Sequence, residues 1–153
     1  MITIRQAKQD DLPELAAMYA RSFSTMHPNE HWSNETAERF LSSCLHRQPD
    51  LSFIAEMKGE MVGGFFVAIR PWYDGNHLVD GELFVEPKHQ RKTIGSQLLQ
   101  HGIQEAQSKY QATIMEALTF SENAFPLTWY KKMGFTVVED MVIIRSDLSS
   151  LGK

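Results

Sequence analysis

The chain is short of everything that would tie it to an oxidising compartment or a membrane. Cys44 is its only cysteine, so no internal disulfide can form, and a reducing cytoplasm is the expected location. No apolar run approaches the roughly 18 residues of a membrane span, and the opening "MITIRQAKQDD" has no signal-peptide core. Internal repeats, low-complexity tracts and Pro-, Gly- or Ser-rich linkers are missing, which implies one domain over residues 1–153. Positive charge is not in excess. Fifteen Lys and Arg against nineteen Asp and Glu leave a formal charge of −4, which disfavours binding to a phosphate backbone and favours a cationic partner. His27 and His31 stand four apart, but Pro28 breaks the helical spacing and no third ligand is evident, so no metal is expected.

What remains is an alternation of strand and helix patterns. "ITIRQA" alternates like a strand. "DDLPELAAMYARSF" reads as a helix capped by Asp10 or Asp11, with Pro13 in its first turn. "SNETAERFLSSCLHR" is a second helix, capped by Ser33 or Asn34, with Phe40, Leu41, Cys44 and Leu45 inward. A buried structural thiol suits Cys44 better than a nucleophile. "LSFIAEM" and "MVGGFFVAIR" form a hairpin around "KGE"; "PWYDGNH" is a loop, and "LVDGELFVEP" is a strand ended by Pro87. The strongest helix covers residues 95–109, where Gly102 marks close packing. "ATIMEALT", a short helix in "ENAFPLTWYKKM" stopped by Gly134, and the strands "FTVV" and "MVIIRSDL" complete the chain. The fold class is mixed α/β, and the crossover helix makes the fourth and fifth strands parallel.

Between the strand ending at Pro87 and the helix near Gly95 lie Lys88, His89, Arg91 and Lys92. The first turn of a helix carries unpaired N–H groups and a partial positive charge, so this junction can attract an anion. An exposed basic loop reads equally well from spacing alone. The wider pattern separates the two. "LFVEPKHQRKTIGSQLL" resembles motif A of the GCN5-related N-acetyltransferase (GNAT) superfamily, with Gln90, Thr93 and Gly95 in the three signature positions of Q/R-x-x-G-x-G/A. "NAFPLTWYKKMGF" is similar to motif B, with Asn123, Tyr130, Gly134 and Phe135 in register and Pro126 in place of the usual alanine.

The resemblance covers nearly the whole chain. It implies a central mixed, mostly antiparallel sheet with a parallel β4/β5 pair and about four flanking helices. It also implies acetyl-CoA as cosubstrate, with its pyrophosphate on the backbone of Gln90, Arg91, Lys92, Thr93, Ile94, Gly95 and Ser96. Phe84, Val85, Asn123 and Tyr130 would meet the rest of the coenzyme. Thr93 departs from the pattern, because a β-branched residue resists φ > 0 and limits how closely phosphate can approach. Either φ stays negative there or coenzyme affinity is altered.

Acetyl transfer to an amine needs a base for the ammonium proton, polarisation of the carbonyl and an acid for the departing thiolate. The family's motif B tyrosine corresponds to Tyr130, the expected acid. Asp80, Glu82 and Glu86 alternate onto one strand face unless a bulge near Gly81 changes the parity. Glu82 is the first choice as base, through water, with Asp80 and Glu116 next. Trp32, Trp72, Tyr73 and Asp74 would border the acceptor cleft as an aromatic and acidic wall, or merely pack the loops. The implied activity is N-acetylation of a primary amine by direct attack in a ternary complex. The acceptor would be a cationic small molecule such as an aminoglycoside or polyamine. Peptide or protein amines, and a non-catalytic acyl-CoA-binding or regulatory module, are the alternatives. Expected partners are the small-molecule amine and, in a homodimer, a second copy of the chain, with neither nucleic acid nor membrane.

Overall fold

A computed structural model describes residues 1–27 and 29–152, so the expected helix break at Pro28 lies outside the described residues. Strand β1 (Ile2–Gln6) pairs with β2 (Ser52–Met57), which pairs with β3 (Glu60–Trp72) and through it β4 (Gly75–Val85), all antiparallel. Strand β5 (Ala112–Met115) lies parallel to β4, giving the sheet order β1-β2-β3-β4-β5. Helices α1 (Leu12–Met26) and α2 (Asn34–Arg47) separate β1 from β2; α3 (Ile94–Tyr110) crosses from β4 to β5, and α4 (Leu127–Lys132) follows. The result is the mixed, mostly antiparallel sheet with four helices that the sequence implied.

The local reasons are legible. Helix α1 starts after Asp11 with Pro13 in its first turn. At the start of α2, Ser33 Oγ accepts from the Thr36 N–H and Thr36 Oγ1 accepts from the Ser33 N–H, each at 3.0 Å. That reciprocal pair satisfies donors the helix itself cannot. The β2–β3 turn is Lys58–Gly59, both at positive φ, as a tight hairpin requires.

Contacts divide the chain into two units, Met1–Leu118 and Thr119–Lys153. In the first, each sheet face carries its own layer. Ile54, Phe66 and Phe84 share a buried cluster with Leu12, Leu15, Met18 and Tyr19 of α1 and with Leu41 and Leu45 of α2. On the opposite face Phe65 meets α3 at Gly102, where an added Cβ would stand 2.5 Å from the Phe65 ring. The close packing expected at Gly102 is therefore real.

Three expectations about elements are corrected. "PWYDGNH" is not a loop: the β3–β4 ladder runs out to the Trp72–Gly75 pair, leaving Tyr73 and Asp74 as the turn. Cross-strand pairing outweighs the weak strand propensity of that stretch. The fifth strand is shorter than "ATIMEALT", ending at Met115. In the second unit "FTVV" and "MVIIRSDL" form no strand, and Val137, Val138 and Met141–Ile144 are exposed. Apolar β-branched residues make a strand only where an edge accepts them, and within this unit no strand does so among the described residues. Helix α4 ends as anticipated at Gly134, at φ +98°, with the Phe135 N–H donating to the Tyr130 carbonyl at 3.1 Å.

Candidate active site

The sheet opens where chemistry is expected. β4 pairs with β5 only as far as Leu78 opposite Met115, then continues to Val85 with a partner on its β3 side alone. Main-chain groups on the other edge of Val79–Val85 therefore have no ladder partner in β5. Within this stretch lies a bulge. Phe66 faces Glu82 while Ala68 faces Val79, so β4 holds one residue more than β3, and Asp80 takes φ +54°. The bulge lies within a residue of the site suspected from sequence. All three carboxylates still meet α1 or α2. Arg47 Nη1 donates to Asp80 Oδ2 at 3.0 Å, the Tyr19 O–H to Glu82 Oε2 at 2.9 Å, and Arg21 Nη2 to Glu86 Oε2 at 2.6 Å.

Glu82 differs from its two neighbours. Burial pushes its carboxyl up to about 7, and the Glu30 and Asp80 carboxylates add to the rise. The Tyr19 hydrogen bond and the Arg47 charge oppose it. A carboxyl poised near 7 suits a general base at neutral pH. Tyr19 was not among the residues singled out from sequence. It is only 3% exposed and touches Phe23, Trp32, Phe40 and Phe84, with ring centroids 4.4 to 5.8 Å apart. Burial and the adjacent Glu82 drive its phenol well above the usual tyrosine range, so the proton stays on Tyr19. The signal was a tyrosine on the buried stripe Leu12, Leu15, Ala16, Tyr19 of an amphipathic helix, where a phenol must find a partner.

The loop expected to take an anion runs from the end of β4 into α3. Helix α3 begins at Ile94, and its N-cap Thr93 gives no side-chain cap to the first turn. Both Arg91 (φ +62°) and Thr93 (φ +65°) lie in the left-handed region, a pattern that turns successive N–H groups into one concavity. Thr93 therefore occupies the conformation that suits glycine, and the expectation of a negative φ there does not hold. Its hydroxyl is turned to the protein, donating to the Lys92 carbonyl at 2.6 Å and accepting from Gln97 Nε2 at 3.0 Å. Gln90 Nε2 donates to the Val85 carbonyl at 3.1 Å and ties the strand end to the loop, while Ser22 Oγ of α1 shares its proton between that carbonyl (3.1 Å) and the Met18 carbonyl (2.9 Å). Val85 is half-buried, whereas the Phe84 side chain, 2% exposed, stacks on Phe66 in the core, and its backbone pairs with Gly64 of β3.

The remaining candidates fall into separate places. Trp32 stands edge-on to Tyr19 at 5.1 Å, beside Glu82's partner, and its Nε1 donates to Glu30 at 3.0 Å. Trp72, Tyr73, Asp74 and Glu116 gather instead around the β3–β4 turn. There Arg70 lies 4.7 Å over the Trp72 ring and pairs with Glu116, and buried His77 sits between Asp74 (2.7 Å) and Glu116 (3.4 Å). Glu116 is thus engaged by the Arg70 guanidinium and close to His77, away from Glu82. Asn123 and Tyr130 belong to the second unit, where the Tyr130 ring meets Trp129 at 4.9 Å and Phe135 at 5.1 Å. Cys44 is buried, and burial raises its thiol pKa, as a structural thiol should behave. Among the described residues no group of three or more His, Cys, Asp or Glu could hold a metal ion, and no helix is long and apolar enough to cross a membrane.

The model of the acetyltransferase (GNAT) family matches residues 12–135. The chain belongs to that family of N-acetyltransferase enzymes. An uncharacterized N-acetyltransferase of Methanocaldococcus jannaschii is 25% identical over 87% of this chain, which spans only 60% of that relative's length. The L-methionine sulfoximine/L-methionine sulfone acetyltransferase of Salmonella typhimurium is 26% identical over 92% of this chain and 83% of its own. In fold, a predicted acetyltransferase of Clostridium acetobutylicum, solved with acetyl-CoA, superposes with a TM-score of 0.71 at 20% identity, covering 95% of this chain and 96% of its own.

Proposed function

We propose that the chain acts as a single acetyltransferase domain, transferring the acetyl group of acetyl-CoA to a primary amine by direct attack in a ternary complex. The observation that carries this reading is Glu82. It is a carboxyl held near neutrality on the stretch of β4 that β5 leaves open, in the same unit as an uncapped helix start. The family match crosses the division between the two units, which supports treating residues 1–153 as one domain.

Gln90 to Ser96 would hold the coenzyme pyrophosphate through backbone N–H groups, a reading supported by the left-handed residues Arg91 and Thr93 and the uncapped start of α3; the acetyl-CoA named for the clostridial structure supports the choice of cosubstrate. Bound acetyl-CoA supplies the thioester. The chain supplies the rest: Glu82 takes the ammonium proton, directly or through water, and unpaired main-chain N–H groups of β4 polarise the carbonyl. Tyr130 returns a proton to the thiolate. No covalent enzyme intermediate is needed.

The acceptor reads as a small amine whose ammonium is drawn to the carboxylates of Asp80 and Glu82. An aminoglycoside or polyamine suits their joint negative charge. A second reading, an α-amino acid, is favoured by Arg47, a half-exposed guanidinium 3.0 Å from Asp80 that could pair a carboxylate, and by the amino-acid acceptors named for the Salmonella relative. A panel of aminoglycosides, polyamines, L-methionine sulfone, other amino acids and peptides, assayed by thiol release from acetyl-CoA, decides among them. Turnover confined to peptides would replace the small-molecule reading. Coenzyme binding with no turnover on any acceptor would favour a binding module, and absence of coenzyme binding would overturn the function outright.

A further inference from the structure

We infer that Tyr19 is a positioning residue for Glu82: its phenol holds Oε2 so that Oε1 is the oxygen presented to the acceptor amine or its bridging water. The inference rests on the reading of Glu82 as the base. Its geometry does not. Tyr19 comes from the first helix and Glu82 from a strand 63 residues later, and a phenol has one proton to donate, here placed on Oε2 at 2.9 Å. Oε1 makes no hydrogen bond among the described residues and is not among the sealed polar atoms. Four aromatic rings fix the donor: Phe23 and Phe40 lie tilted against it, while Trp32 and Phe84 meet it edge-on at interplanar angles of 87° and 82°. Tyr19 therefore has little freedom to follow another acceptor.

The groups facing Glu82 show why this one contact matters. Asp80 from β4 and Glu30 from the segment between α1 and α2 disfavour its ionised form, as does burial. From α2 come Cys44, whose thiol is held neutral by burial, and Arg47, a cation already bonded to Asp80 and 47% exposed to screening water. From α1 comes Tyr19 alone, the single direct hydrogen bond that favours the carboxylate. A merely structural tyrosine would need a partner for its hydroxyl, and any acceptor would serve. A positioning tyrosine instead sets both the titration and the orientation of its carboxylate.

The test is a 13C-NMR titration of the full chain labelled at the glutamate δ-carbon, with Glu82→Gln to assign the Glu82 signal. In the unmodified protein that signal should titrate near 7. In Tyr19→Phe, which keeps the ring, the midpoint should rise by about one to two pH units, the size of a hydrogen bond to a charged group. The acidic limb of kcat/KM, measured with L-methionine sulfone or whichever panel acceptor turns over, should rise with it. An unmoved midpoint overturns the positioning role. Should Tyr19→Phe fail to fold, 3-fluorotyrosine at position 19 still decides. Its 19F shift must follow the Glu82 midpoint, and a shift flat through that pH overturns the coupling. The underlying reading fails separately: if Glu82→Gln keeps the full acidic limb, Glu82 is not the base, whatever Tyr19 does to its titration.

Discussion

Replacing Glu82 by glutamine separates the electrostatics of the site from its chemistry. The substitution keeps shape and leaves an amide oxygen to accept from Tyr19, but removes the ionisation. Glu82 moves from an ordinary 4.5 to about 7 on folding, so the native state retains a proton that the unfolded chain has released. Its contribution to stability is thus fully present below pH 4.5 and is lost as pH rises towards 7. Above pH 7 the loss is on the order of 3 kcal/mol. At pH 5 it has shrunk to about 1 kcal/mol. An amide NH2 without a full set of partners returns about 1 kcal/mol of that gain. The variant should therefore melt about 4–8 °C higher than the parent at pH 8, and within about 2 °C of it at pH 5. The assay is thermal unfolding by circular dichroism at the two pH values. An equal difference at both would mean that Glu82 is not held near neutrality, and the choice of base would lose its physical basis. Thiol release should meanwhile fall by roughly 100-fold or more, so the more stable protein is the less active one.

Thr93→Gly removes a β-branched side chain from φ +65°, a strain of about 1–2 kcal/mol, against an unfolded-state entropy penalty of about 0.5–1 kcal/mol. A net stabilisation of about 0.5–1 kcal/mol and tighter coenzyme A binding by calorimetry are expected, and weaker binding would show that the threonine contributes to the cradle. Gly102→Ala gains about 1 kcal/mol of helix propensity but drives a methyl group to 2.5 Å from the Phe65 ring. Overpacking of about 1–3 kcal/mol should win, so the urea midpoint falls; an unchanged midpoint would mean that α3 can shift away from the sheet. Tyr130→Phe should lower turnover by about 100-fold while leaving coenzyme A affinity within about twofold, and equal loss of both would recast Tyr130 as a binding residue.

What sequence revealed and what it hid divide along the range of the interactions involved. The bulge beside Gly81 and the start of α3 near Gly95 were legible because each is set within one strand pair or one turn, and the close approach at Gly102 because a glycine inside a helix costs propensity that only tight packing explains. The ladder through Trp72 to Gly75 was not, since it depends on register passed along from Gly63–Val85 onwards rather than on local propensity. Residues 135–148 carry the reverse lesson, a strand pattern with no strand, because alternation describes a face and not a partner. Tyr19 and Arg47 escaped for the same reason as that ladder. Neither lies near a motif, and each acquires its meaning only when the antiparallel β3–β4 pairing and the α1–α2 layer bring it to Glu82 or Asp80. Motif residues mark where the coenzyme is expected, whereas the protonation state of Glu82 is set first by burial and then by the opposing hydrogen bond of a buried phenol in the first helix. A substitution at position 19 that keeps every motif intact should therefore move the pH at which the enzyme works.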